Sequence, residues 1–294
     1  MLVNFLIPTH FKKINFLICF LDSILANKSD DIELKIFLIV DNSRAIELYS
    51  QALFRHSKLL CIEYISTHDY LLDVVRSETA LAHYGAGAKG GLAVFKKFVG
   101  FHFMCSANKG DFYCFDSDCY MNFFDLSIHN NVVQNASRKL FIGCDFSNRS
   151  DDTIAKILDS CRNVIGRDLI DDHISSIYNW YYDLHFYFTS DLLKFFDFIV
   201  NKFGSFGGFL STLDWHKFEH IIFVNWLCAT GCANIYSYND MGISSLPEDL
   251  TVSERLRLSQ KFNYKPSWIK AYTGLSTGYQ SLPETAFYFH FDRL

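Results

Sequence analysis

Proline is scarce in this sequence, with 4 residues among 294, and glycine is limited to 15. So little of either leaves no room for a flexible linker or a low-complexity tail. Positive charge is also short: 27 lysines and arginines face 32 acidic residues, a formal charge of −5. Broad electrostatic binding to nucleic acid needs clustered positive charge, so nucleic acid is excluded as a partner. No CxxC pair occurs among the nine cysteines, and the nearest spacings, Cys114/Cys119 and Cys228/Cys232, do not suit a zinc ribbon. No positive segment precedes the first apolar run, which Pro8 interrupts, so no secretory signal is expected. The next apolar stretch, Ile14 to Leu25, contains Asp22 and is too short for a span, which needs about 20 residues. The expectation is a cytoplasmic protein with reduced, mostly buried thiols. Any membrane contact would be peripheral, at the inner face of the cell membrane.

What the chain has in plenty is aromatic and apolar surface. Thirty Phe, 16 Tyr and 4 Trp contribute to a composition that is 50% hydrophobic, which excludes intrinsic disorder. Short apolar runs at Val3–Ile7, Leu34–Val40, Leu60–Ile65 and Asp111–Phe115 predict buried strands. Helical spacing predicts helices over Lys12–Ala26, Arg44–His56, Tyr70–Tyr84 and Leu92–Ala107 between them. This alternation implies an α/β fold with an open, mostly parallel sheet and helices on both faces. The second half predicts strands at Lys139–Cys144, Tyr181–Thr189 and Ala233–Tyr238. Helices are predicted over Asp151–Cys161, Ser190–Phe203 with Ser190 as cap, and Leu213–Ala229. The last thirty residues read as loops packed on the body.

Asp116-Ser117-Asp118 follows the apolar FYCF, where ligands bind beyond the carboxyl ends of strands. Two carboxylates at i and i+2 suit a hard divalent cation on a diphosphate, although Asp and Ser are also ordinary turn residues. Gly85-Ala86-Gly87-Ala88-Lys89-Gly90 matches GxGxxG, but a helical stretch precedes it, so a flexible loop near a ligand is the better reading than a dinucleotide site. In Asp214-Trp215-His216-Lys217-Phe218-Glu219-His220 the two histidines share a helical face without the HExxH order. A carboxylate there, in an aromatic setting, is a candidate general base with a raised pKa, the alternative being a polar helix face. His290 in the terminal YFHF is either a core histidine or a ligand.

Taken in order, these segments resemble the GT-A nucleotide-sugar glycosyltransferases, in particular the family-2-like bacterial enzymes. Phe5–His10 (FLIPTH) looks like the opening strand and its motif, and Phe37–Ser43 (FLIVDNS) like the second strand. Gly91–Phe101 followed by Asn108–Met121 is similar to the family's helix and its G-D-x-x-x-x-D-x-D segment, here Gly110-Asp111 before Asp116 and Asp118. Phe203–Phe209 followed by Glu219-His220, Leu227 and Gly231 is similar to the acceptor-side helix, with His220 where an acidic base often stands. The resemblance implies a single domain over residues 1–294, with a nucleotide-sugar half over about 1–120 and an acceptor half plus C-terminal loops over 121–294. It implies that Pro8, Thr9, Asp41, Lys96, Lys97, Asp116 and Ser117 bind the donor, and that Asp116, Asp118 and His290 hold Mn²⁺ or Mg²⁺. Glu219, or Asp214 near it, would be the catalytic base. No QxxRW motif is present, which excludes a processive synthase.

The activity so implied is transfer of one sugar from a nucleotide-sugar donor, UDP-linked, to a hydroxyl of a glycan or glycolipid acceptor, as in surface polysaccharide or lipooligosaccharide assembly. A nucleotidyltransferase acting on sugar phosphates would want a glycine-rich loop after the first strand, whereas Pro8–Lys13 has no glycine. In a non-catalytic carbohydrate-binding module the DxD would be only a turn.

Overall fold

The computed structural model describes residues 1–146, 152–179 and 185–237, with the backbone of 271–273 and 288–291. Along the chain, β1 (Leu2–Pro8) leads to α1 (Ile14–Asn27), β2 (Glu33–Val40) to α2 (Ser43–Ala52), and β3 (Cys61–Ser66) to the one-turn α3 (Thr67–Tyr70). Next come α4 (Glu78–Gly85), α5 (Leu92–Ser106), β4 (Phe112–Cys114), β5 (Cys119–Met121), α6 (Leu126–Arg138) and β6 (Leu140–Asp145). Then follow α7 (Asp152–Ile165), α8 (Asp172–Ser175), β7 (Ile177–Tyr178), β8 (Phe186–Tyr187), α9 (Thr189–Phe203) and α10 (Phe206–Leu210). The remaining elements are α11 (Glu219–Ala229), β9 (Asn234–Ser237), β10 (Ala271–Thr273) and β11 (Tyr288–Phe291). The chain divides into two compact units, one of Met1–Ala26, Asp30–Asp118 and His185–Glu219, the other of Asn27–Ser29, Cys119–Leu184 and His220–Leu294.

The first unit is built on a sheet of order β3-β2-β1-β4-β8, parallel except for β8, which runs antiparallel to β4. Buried on both faces, β1 and β2 read as mostly apolar runs, interrupted by Asn4 in β1 and Lys35 in β2. The chain steps outward from β1 through β2 to β3 and then crosses back to β4. On one face Gly100 of α5 lets the helix approach the sheet: a Cβ there would lie 2.9 Å from Leu6 and 3.0 Å from Ile39. Phe98, Phe195 and Phe209 then join α5, α9 and α10, with ring centroids 6.3 Å and 4.9 Å from Phe98.

Local chemistry moved several expected boundaries. Tyr70–Tyr84 is not one helix: a π-helical turn, Leu71–Val75, closes on Arg76 at φ 52°, and α4 restarts where the Ser77 side chain accepts from Ala80 N–H. The cap of α9 is not Ser190; Asp111 Oδ1 accepts from the Thr189 N–H at 2.8 Å and from its hydroxyl at 3.0 Å. Expected helix Leu213–Ala229 begins only at Glu219, because the Asp214 side chain accepts from the His216 N–H and turns the chain first. His216 and His220 therefore share no helical face. The Gly85–Gly90 stretch is a tight turn, with Gly87, Ala88, Lys89 and Gly90 all at positive φ.

In the second unit, β6 lies between β7, antiparallel, and β9, parallel. Ile177, Val224 and Ile235 form a core there against Phe141, Ile174 and Cys228. Asp125 caps α6, a helix the apolar pattern does not announce, by accepting from Ile128 N–H at 2.8 Å. The tail is not all loop: β11 pairs antiparallel with β5 and parallel with β10. None of the nine cysteines is disulfide-bonded. Among the described residues no helix is long and apolar enough to cross a membrane.

Candidate functional site

Strand order puts a topological switch between β1 and β4, and the crevice beyond the carboxyl ends at such a point is where α/β sheets bind ligands. The segments leaving those strands carry Pro8-Thr9, Asp41 and Asp116-Ser117-Asp118, so three chain regions flagged in the sequence share one edge of the first unit. From the opposite side α5, which starts at that edge, sends in two adjacent lysines.

Lys96 and Lys97 diverge to different carboxylates. Lys96 Nζ lies 2.6 Å from Asp41 Oδ1 and donates to the Thr9 carbonyl at 2.7 Å. Tyr84 Oη donates to the same Asp41 oxygen at 2.7 Å, and the Thr9 and Tyr49 hydroxyls are 3.0 Å apart. Burial alone would raise the Asp41 carboxyl; Lys96 and Tyr84 more than reverse this, and its pKa lies below the usual carboxylate range. Burial lowers the pKa of Lys96, an effect Asp41 partly opposes, while burial and Asp41 together push Tyr84 up. Asp41 is thus an anion tied from two sides.

Lys97 Nζ sits 2.9 Å from Asp116 Oδ1 and 2.8 Å from Glu219 Oε1. One ammonium faces two carboxylates, Glu219 fully buried and Asp116 21% exposed. Burial would lower its pKa, but the two anions raise it and keep the lysine charged. Burial raises the pKa of Glu219, and Asp116 adds to the rise against the pull of Lys97. The expected elevation of Glu219 is present, but the side chain is 0% exposed and packed on Lys97. A general base must touch the acceptor hydroxyl, and in this arrangement the Glu219 carboxylate is covered by Lys97.

Asp118 is mostly covered, 9% exposed, and its Oδ2 lies 2.8 Å from Nζ of Lys13, which is 43% exposed. Ser117 between the two acids is buried. Asp214 stands apart from these groups. Its Oδ2 pairs with Lys217 Nζ at 2.6 Å, and that lysine, with the His216 N–H, brings its pKa below the usual range although burial alone would raise it. His290 is placed by backbone only: register sets it opposite Cys119, the residue after Asp118, and its side chain lies outside the described residues. Among the described residues no group of three His, Cys, Asp or Glu side chains converges as a metal site. Sequence reasoning missed Lys13, Tyr49 and Tyr84. Only Lys13 had a signal, a cation in the loop directly after β1.

No protein-family model matches the chain, and no curated protein matches its sequence. Among solved structures the chain is similar to mouse xyloside xylosyltransferase 1 in its apo form, with a TM-score of 0.50 at 10% identity, over 99% of this chain and 98% of that one. The chain shares the fold of that xylosyltransferase. Weaker likenesses are to S. aureus TarS 1–349 in complex with UDP-GlcNAc, TM-score 0.32 at 11% identity over 88% of this chain and 79% of that one. PaToxG glycosyltransferase has a TM-score of 0.30 at 11% identity, over 88% of this chain and 84% of that one.

Proposed function

We propose that the chain is a glycosyltransferase of GT-A type that moves one sugar from a UDP-linked donor to a hydroxyl of a glycan or glycolipid acceptor, in the assembly of a surface glycan. The observation that carries this reading is the convergence of Asp41, Asp116 and Asp118 with Lys13, Lys96 and Lys97 at the switch point of a parallel sheet. Asp41, with Thr9 beside it, is positioned for the nucleoside, and the acids after β4 for the diphosphate end of the donor.

The donor set suits Mg²⁺ or Mn²⁺, since both acids offer hard oxygen ligands and Lys13, the exposed partner of Asp118, can yield its place. Asp118 would hold the ion, with Asp116 fixed alongside by Lys97; when bound, the ion supplies positive charge to the departing diphosphate. Lys13, released from Asp118, is then free to donate to the same phosphate oxygens. The acceptor hydroxyl loses its proton on attack. Asp214, ionised and 21% exposed, is the carboxylate offered to it. A transfer that retains configuration needs no such base.

Asp118→Asn tests this directly, with UDP release from a UDP-sugar as the readout. Loss of about 10² or more in Mn²⁺-dependent turnover is expected, with the melting temperature within a few degrees of wild type. A variant equally active with Mn²⁺ and with chelator contradicts the assignment. A nucleotidyltransferase would instead release pyrophosphate from a nucleoside triphosphate, and the glycine-free loop after β1 does not favour it.

A further inference from the structure

Within the first unit, the segment between α10 and α11 is held far more tightly than a plain connection requires. His83 Nε2 donates to the Leu213 carbonyl at 2.7 Å. Lys217 Nζ donates to the Thr212 carbonyl at 2.6 Å and to Asp214 Oδ2 at 2.6 Å. The Asp214 backbone lies so close to Gly91 that a Cβ on that glycine would meet the carbonyl carbon at 2.5 Å. In the middle of this clamp Trp215 is turned outward and 43% exposed, while Trp226 in α11 is buried. The His216 ring lies over the indole with centroids 3.8 Å apart, and Gly90 sits against the indole, a Cβ there falling 3.7 Å from Trp215 Cδ1.

The clamp is also tied to the donor residues. His83 and Tyr84 are neighbours on α4 and both pack on Phe95. One holds the carbonyl beside Asp214 and Trp215, the other holds Asp41. Two adjacent side chains thus span from the exposed indole to the nucleoside end of the proposed site. A clamped loop that presents an exposed indole beside a carboxylate fits a ligand with one apolar face and a polar rim. A pyranose ring has that form: its axial C–H bonds stack on the indole while its hydroxyls reach Asp214.

We propose that Trp215, backed by His216 and Gly90, is the stacking platform for a sugar ring of the acceptor, with Asp214 at the rim bonding a ring hydroxyl. The proposal rests on the glycosyltransferase reading above but is read out separately from it. Saturation-transfer NMR would be recorded with methyl glycosides of glucose, galactose, N-acetylglucosamine and xylose on wild type, Trp215→Phe and Trp215→Ala, with the UDP-induced melting shift measured on each. The expected result is transfer to at least one glycoside in wild type, kept by Trp215→Phe and weakened about tenfold by Trp215→Ala, the scale of one aromatic stacking contact. UDP should stabilise all three alike. Transfer to none of the four glycosides, or transfer that survives Trp215→Ala undiminished, overturns the platform. Failure of UDP to stabilise wild type would instead count against the donor reading.

Discussion

One lysine ammonium between the sealed Glu219 and the partly exposed Asp116 makes Lys97 the residue whose loss should be felt most. Lys97→Met would remove the ammonium that lies 2.9 Å from Asp116 and 2.8 Å from Glu219. A cost of about 3–5 kcal/mol is expected, the usual scale for breaking a buried pair, read as a lower urea midpoint at unchanged slope. Glu219→Gln should cost far less, because burial already pushes that carboxyl toward its neutral form. Equal costs for the two variants would mean that the three groups do not act as a unit. A second residue sets a pH response. His102 is stacked on Phe206 at 4.3 Å and hydrogen-bonded to Tyr70, and burial lowers its pKa to about 4. The unfolded chain takes up this proton near pH 6.5 and the folded chain only near 4. Its contribution to stability is therefore present above that window and is lost as pH falls through it, by up to about 3 kcal/mol. A wild-type stability slope between pH 6.5 and 4 that persists unchanged in His102→Gln would show that the group responsible is another one.

At the scale of elements, the site depends on how closely α5 lies against β1 and β2. Gly100→Ala places a methyl 2.9 Å from Leu6 and 3.0 Å from Ile39. Overpacking of this kind should destabilise by about 1–3 kcal/mol in denaturant titration, and a neutral or stabilising effect would show that α5 has room to shift. These elements were also the legible ones. Strands β1, β2 and β4 are mostly apolar and bounded by turn residues, so most of the sheet and the acids at its ends are legible in order. What could not be read depends on distant partners. Asp111 caps a helix 78 positions away, and nothing local marks Ser190 as failing to do so. Likewise Lys97 meets Glu219 only through the fold, so a residue that pattern alone offered as a base proves to be sealed. The strands β10 and β11 are three and four residues long, too short for alternation to separate them from aromatic loop.

For the whole molecule, a net charge of −5 leaves an anionic ligand no general attraction, so in the proposed reading the local charge would come from the exposed Lys13 at the edge of the first unit. Lys13, Lys96 and Lys97 each already hold a carboxylate there. In the proposed reading Asp118 would hold a divalent ion, which would supply the positive charge these paired lysines do not. A ligand that binds only the folded state at a hundred times its dissociation constant adds about 2.7 kcal/mol. The most direct measurement is therefore the melting temperature with saturating UDP, with and without Mn²⁺. The account predicts a rise of about 5 °C or more with UDP and Mn²⁺ together, and a clearly smaller one with UDP and chelator. No rise with UDP under either condition would contradict it.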